Sequence, residues 1–157
     1  MNCYSFTNEG ASILMIHGAN HNKATYNEWL GELAKKQESF DAIKQACAID
    51  LPGHGDSSLG ESRFLSKLGL AAYVSFVRGL VVAEIWADSG LERPTKLVGH
   101  SLGGLLIHLL WQDIPDDEAG DKIRASLASI DSVLLLAPTL PEEVYWSTGD
   151  INLGDMD

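Results

Sequence analysis

The sequence predicts an α/β protein: a mostly parallel sheet with helices on both faces, in three layers. Three observations predict it. Short runs of strand length at 11–17, 46–50, 96–100 and 132–137 alternate with longer stretches of helical period, the pattern of strands joined by crossover helices. Those runs are apolar at nearly every position rather than at every second one, which marks strands covered on both sides. Finally, Gly99-His100-Ser101-Leu102-Gly103 stands between an apolar strand-like run and an apolar helix-like one. A sharp strand-to-helix turn is thereby built around one serine.

The elements follow in order. Residues 1–10 are short and polar, with room for one strand around Cys3–Phe6. Ala11–His17 is a near-continuous apolar run that Gly18 ends. Thr25-Tyr26-Asn27-Glu28 has the spacing of a capping box, and Trp29, Leu30 and Leu33 follow at helical intervals, so a helix is expected over 26–36. Ala46–Asp50 reads as the next strand, closed by the Pro52-Gly53 turn. Leu70, Tyr73, Val74, Val77, Leu80, Val81 and Ile85 share one helical face, predicting a helix over 67–88 that stops near Gly90. Pro94 separates it from the 96–100 strand. A helix is expected from Leu102 to about Gln112, a loop over 113–121, a short helix over 123–130 and a last strand over 132–137. From Thr139 onward the chain has five acidic residues, no Lys or Arg and no clear period. The expected division is therefore 1–138 for the core and 139–157 for an acidic tail or the start of a lid.

Composition narrows the function classes. With 45% hydrophobic and 21% charged residues the chain is that of an ordinary globular domain, and 157 residues suffice for a core of its own. Eleven Lys and Arg against twenty-two Asp and Glu give a net charge of −11, a field that repels phosphate backbones and anionic lipid. Nucleic acid is accordingly not an expected partner. The longest apolar stretch, 68–87, is broken by Arg78 and Glu84 and does not read as a membrane span. Cys3 and Cys47 make no framework. Cys47, in an apolar run, reads as a small buried hydrophobe, and the usage fits a reducing compartment. With no basic-then-apolar leader, cytoplasm is the expectation.

The chemistry is carried by the serine turn. Ser101 at a strained bend presents a hydroxyl suited to nucleophilic attack, and the helix N-terminus beyond it aims N–H groups at a developing oxyanion. The alternative is a serine that merely caps a helix. Gly99 and Gly103 fill positions where the turn leaves no room for a side chain, and Gly104 lets the helix start pack closely.

Three further stretches fall in register with that turn. They are Ile13-Leu14-Met15-Ile16-His17-Gly18-Ala19, Asp50-Leu51-Pro52-Gly53-His54-Gly55-Asp56-Ser57 and Ser132-Val133-Leu134-Leu135-Leu136-Ala137-Pro138. Together the four motifs, over roughly residues 11–138, resemble the N-terminal portion of the α/β-hydrolase family. The resemblance implies a strand order of 46–50, 11–17, 96–100, 132–137. It also implies Ser101 as nucleophile, with the N–H groups of Ala19 and Leu102 as oxyanion donors and His17, Gly18 and His100 as supporting residues. Serine rather than aspartate at the turn disfavours dehalogenases and epoxide hydrolases and leaves hydrolysis of a small acyl ester, thioester or amide, with no cofactor and no metal.

The family places a catalytic acid and then a histidine on loops after later strands. The last histidine here is His108, seven residues beyond Ser101 on the same expected helix. It cannot turn back to the hydroxyl. His17 and His54 are expected to hold their own loops by hydrogen bonds, His100 to pack, and Asp50 and Asp56 to make turns. His21 is the one stand-in for a base, because its loop should pass over the serine. Asp150, Asp155 and Asp157 lie too far along the tail to assign. The chain is thus expected to be inactive alone, as the first part of a hydrolase. The alternatives are one half of a split enzyme, or an interaction module pairing through the 132–137 edge.

Overall fold

The computed structural model describes residues 1–6, 9–36, 42–57, 69–82 and 90–138. The ends of the expected 67–88 helix and the acidic tail, with Asp150, Asp155 and Asp157, lie outside the described residues. In chain order the elements are β1 (Asn2–Ser5), β2 (Ala11–Ile16), a 3-10 turn (Lys23–Tyr26), α1 (Asn27–Lys35), β3 (Ile43–Ile49), α2 (Leu70–Val82), β4 (Lys96–His100), α3 (Leu102–Leu109), α4 (Glu118–Leu127) and β5 (Ser132–Leu136). The sheet runs β1-β3-β2-β4-β5. β1 is antiparallel to β3, and every other pairing is parallel.

Side-chain alternation along the strands builds two cores. Ile13 and Met15 of β2 join Ala46, Ala48 and Val98 in a cluster with Tyr26, Leu30 and Leu33 from the 3-10 turn and α1. Leu14 and Ile16 join Cys47, Ile49 and Leu97 in a second cluster with Tyr73, Val74 and Val77 of α2 and Leu102, Leu105 and Leu106 of α3. Successive residues of a strand point to opposite faces, so the two clusters are the two sides of one sheet. Burying each Val, Leu, Ile or Met side chain among them stabilises the fold by about 1.5–3 kcal/mol. This is why the continuous apolar runs predict the three layers.

Besides α3 ending at Leu109 rather than near Gln112, element boundaries differ from expectation in three places, each for a local reason. No capping box forms at Thr25. The Asn22 side chain accepts the Ala24 N–H at 2.8 Å and starts a 3-10 turn, so Thr25 is already helical when α1 begins. β3 starts at Ile43, three residues earlier than expected, where β2 extends far enough to pair with it. α4 starts at Glu118 rather than 123, because the Asp117 carboxylate accepts the Gly120 N–H at 2.8 Å and caps the helix.

The cysteine expectation is corrected. Cys3 lies directly opposite Cys47 in the β1–β3 register, their Cα atoms 4.1 Å apart, and the two form a disulfide. Cys47 is buried, as expected, but it is not a free thiol, and the cysteines no longer argue for a reducing compartment. The pairing is invisible in sequence because 44 residues separate the two. Closing a loop of that size restricts the unfolded chain by about 4 kcal/mol in the chain-entropy treatment. Reduction, or Cys3→Ser, is therefore expected to lower the melting temperature by several degrees. Native non-reduced protein that titrates two free thiols would contradict the bond.

One strand is poorly covered. β5 has Val133, Leu134, Leu135 and Leu136 at 41, 51, 38 and 41% exposure, whereas Leu97 in the neighbouring β4 is fully buried. Among the described residues it pairs only with β4, so its outer edge is open.

Candidate active site around Ser101

β4 ends at His100 between β2 and β5, and Ser101 turns the chain into α3 with φ 50° and ψ −116°. A positive φ is costly for a residue with a Cβ, and such strain gathers at functional bends. The surroundings over-determine it. The Ser101 N–H donates to Leu136 C=O of β5 at 3.0 Å, and the Ser101 C=O accepts from Gly104 and Leu105 at 2.9 and 3.1 Å. At this N-cap position the serine side chain makes no capping bond to α3. Leu102 is the first residue of α3, where an N–H has no acceptor within its own helix.

The glycines are required by backbone contact more than by crowding of the serine. A Cβ on Gly99 would come 2.6 Å from the Gly103 carbonyl oxygen, and one on Gly103 would run into the Ile16 carbonyl at the end of β2. A Cβ on Gly104 would meet Pro138, just after β5, at 2.8 Å. Strand ends of β2, β4 and β5 thus converge on this bend.

β2 delivers the loop expected to carry the second oxyanion donor. His17 is wholly buried; its Nε2 accepts the Leu51 N–H at 3.0 Å, so the proton sits on Nδ1, which donates to Gly18 C=O at 2.7 Å. The peptide is planar, so holding the Gly18 oxygen also sets the direction of the Ala19 N–H. Around Gly18 the structure brings together His100 Nδ1, Ser101 Cβ and His21 Nδ1, all 3.1–3.3 Å from where a Cβ would be. The His21 loop therefore does pass over the bend, and its ring meets His100 edge-on at 5.4 Å. His100 Nδ1 is buried without a hydrogen-bond partner among the described residues. His108 lies on the exposed side of α3, where its Nε2 accepts from Gln112 Nε2 at 3.2 Å.

Three residues behave differently from their sequence readings. Asp50 is no simple turn residue: its buried carboxylate takes the Lys23 ammonium, the Lys23 N–H at 2.7 Å and the Asp56 N–H at 2.9 Å. Asp56 adds a second carboxylate to the same ammonium at 2.6 Å. His54 faces two carbonyls, Pro52 of its own loop at 3.1 Å from Nδ1 and Ala19 across from it at Nε2. A neutral imidazole has one N–H, and carried on Nε2 it donates to Ala19 rather than holding the His54 loop itself. Sequence reading missed Lys23 and saw Tyr26 only as the start of a helix. The Tyr26 hydroxyl donates to Ile16 C=O at 2.9 Å, at the end of β2; burial pushes the phenol up to about 12. No local pattern announces such contacts: Lys23 and Asp50 lie 27 residues apart.

Electrostatics make the loop acid-sensitive. Burial lowers the His17 pKa, partly opposed by its bond to Gly18, with the neighbouring His54 also lowering it. Burial alone would raise Asp50, but the hydrogen bonds from Lys23 and Asp56 outweigh it and hold the carboxyl at about 2. In both cases the unfolded group binds a proton at a higher pH than the folded one. Stability therefore falls as pH drops below the ordinary imidazole value of 6.5, and again below the ordinary carboxyl value of 3.8. The urea midpoint is expected to decline below about pH 6.5, and His17→Gln is expected to flatten that upper step. A midpoint unchanged between about pH 7 and 5 would contradict it.

Among the described residues no group of three His, Cys, Asp or Glu is placed to hold a metal ion, and no helix is long and apolar enough to cross a membrane.

Comparison with known proteins agrees with the geometry. A protein of uncharacterised function from Mycobacterium tuberculosis is 36% identical over 101 residues, which is 64% of this chain and 25% of that protein. An alpha/beta hydrolase from Novosphingobium aromaticivorans matches in fold with a TM-score of 0.52 and 18% identity, over 85% of this chain and 37% of its own. The monoacylglycerol lipase of Paleococcus ferrophilus matches with a TM-score of 0.51 and 19% identity, over 99% of this chain and 51% of its own. The chain thus spans about a quarter of its curated relative and at most about half of these solved neighbours. The model of the alpha/beta hydrolase family matches residues 13–154, and with the parallel sheet and helices on both faces it establishes that the chain belongs to that family.

Proposed function

We propose that the chain supplies the nucleophile and oxyanion hole of a serine hydrolase acting on a small acyl ester, thioester or amide. Ser101 attacks the acyl carbon as the histidine supplied by the rest of the enzyme takes its proton, and the Ala19 and Leu102 N–H groups receive the oxyanion. The bond to the alcohol, thiol or amine breaks, that group leaves with the proton, and water then hydrolyses the acyl-enzyme to the free acid and Ser101. Residues 1–138 are then the N-terminal part of the catalytic core. The acid and the histidine come from strands beyond it, together with any lid. No cofactor takes part. The observation that carries this reading is the bend itself: a serine at φ 50° opening a helix, with glycines jammed against backbone on both sides. The test is to assay p-nitrophenyl esters with the chain alone and with the polypeptide encoded in frame after codon 157. Turnover is expected only in the second case, and is expected to vanish in Ser101→Ala.

The open β5 edge favours a second reading, in which the domain pairs that edge with a second copy or a separate half-enzyme. An exposed edge flanked by apolar side chains invites strand addition. Light scattering is expected to show a concentration-dependent oligomer in that case; a monodisperse monomer at every concentration would count against it.

A further inference from the structure

We propose that His54 is a positioning residue for the oxyanion donor: by holding the Ala19 carbonyl it fixes the direction of the Ala19 N–H. The proposal rests on the oxyanion role given to Ala19 above. Ala19 joins two peptide planes. The plane before it carries the Ala19 N–H and is held at Gly18 C=O, which accepts from His17 Nδ1 at 2.7 Å and from the His21 N–H at 3.2 Å. The plane after it carries the Ala19 C=O, and that oxygen is held by His54 Nε2. With both planes anchored, Ala19 cannot crank about its own φ and ψ. A donor fixed in advance is what stabilises a developing oxyanion, because no reorganisation is then needed during reaction.

The anchor is itself firmly seated. His54 sits in the 50–57 loop, whose base is tied to the same segment by the Asp50 carboxylate, through the Lys23 N–H at 2.7 Å and the Asp56 N–H at 2.9 Å. Its ring lies against His17 at 5.1 Å and Tyr73 at 6.4 Å. The 50–57 loop is therefore a brace reaching back to the catalytic bend, although no atom of His54 is assigned to the substrate.

The direct test is the orientation of one bond vector. In isotopically labelled full chain, the residual dipolar coupling of the Ala19 N–H is measured in the wild type, His54→Ala and His54→Gln. Glutamine keeps an N–H that can reach the same carbonyl. The Ala19 coupling and carbonyl shift are expected to move in His54→Ala and to return in His54→Gln, with β-sheet couplings unchanged. An Ala19 vector indifferent to both substitutions overturns the proposal. So does a wild-type spectrum in which His54 Nε2 carries no proton, a measurement that holds even if a variant fails to fold. In enzyme completed by the downstream polypeptide, His54→Ala is expected to lower kcat on the order of tenfold with KM unchanged, and His54→Gln to restore it. A moved vector with unchanged kcat also overturns it. Complete lack of Ser101-dependent turnover in that wild-type assembly would instead sink the hydrolase reading, leaving the dipolar coupling to decide the role of His54.

Discussion

Purified alone, the chain is expected to hydrolyse p-nitrophenyl esters at a rate on the order of 10⁶-fold below that of the completed enzyme. That factor corresponds to about 8 kcal/mol of barrier. It is large because a serine hydroxyl is a poor nucleophile until a base takes its proton, and catalytic groups that act as a unit fail together when one is missing. An oxyanion hole by itself retains only a modest acceleration. Among the histidines here, His17 is committed to Gly18 and Leu51, His54 to Ala19, and His108 faces away on α3. His21 and His100 are different, because the Nδ1 of each sits beside the Gly18 position close to Ser101 Cβ; His21 is the one on a loop that passes over the bend. Should the isolated chain show robust turnover that Ser101→Ala abolishes, the base lies within it, and His21→Ala would be the next variant. Turnover surviving Ser101→Ala would mean the bend is not the reactive site.

The second large effect is expected from a single methyl group. Gly103→Ala would place a Cβ against the Ile16 carbonyl and 2.8 Å from the His17 carbonyl oxygen. Both are backbone atoms, one at the last residue of the central strand and one just after it, and they cannot swing aside as a side chain can. Overpacking typically costs about 1–3 kcal/mol, and a backbone collision belongs at or above the upper end. Against a typical total stability of about 5–15 kcal/mol such a loss should be plain in a thermal or urea melt, along with displacement of the Ser101 bend. Gly31→Ala is the matched control. That glycine lies within α1 with nothing inside 4 Å of its would-be Cβ, so alanine is expected to be neutral or to stabilise by about 0.5–1 kcal/mol. Equal melts for the two variants would show that close packing at the bend is not what selects glycine.

Much of this was legible in the sequence, and the legible parts share a cause. Hydrophobic runs and helical spacing are local properties, so Leu14, Met15 and Ile16 announce a doubly covered strand and Tyr73, Val74 and Val77 a helix face. The strand order was implied by the family resemblance that the motifs carry. Capping was less legible, since Thr25 and Asn22 are both chemically able to start a helix and only the path of the chain chose Asn22.

By itself the sequence determined the α/β class, the strand succession and a bend that only glycine can flank. Tertiary structure decided what crosses between elements: the Cys3–Cys47 bond, the Lys23–Asp50–Asp56 cluster, Tyr26 on the Ile16 carbonyl, and His54 on the Ala19 carbonyl. Those contacts join residues distant along the chain, and the sheet order that makes them neighbours is a property of the packed whole. No periodicity within a segment can encode which polar group will find another across a strand.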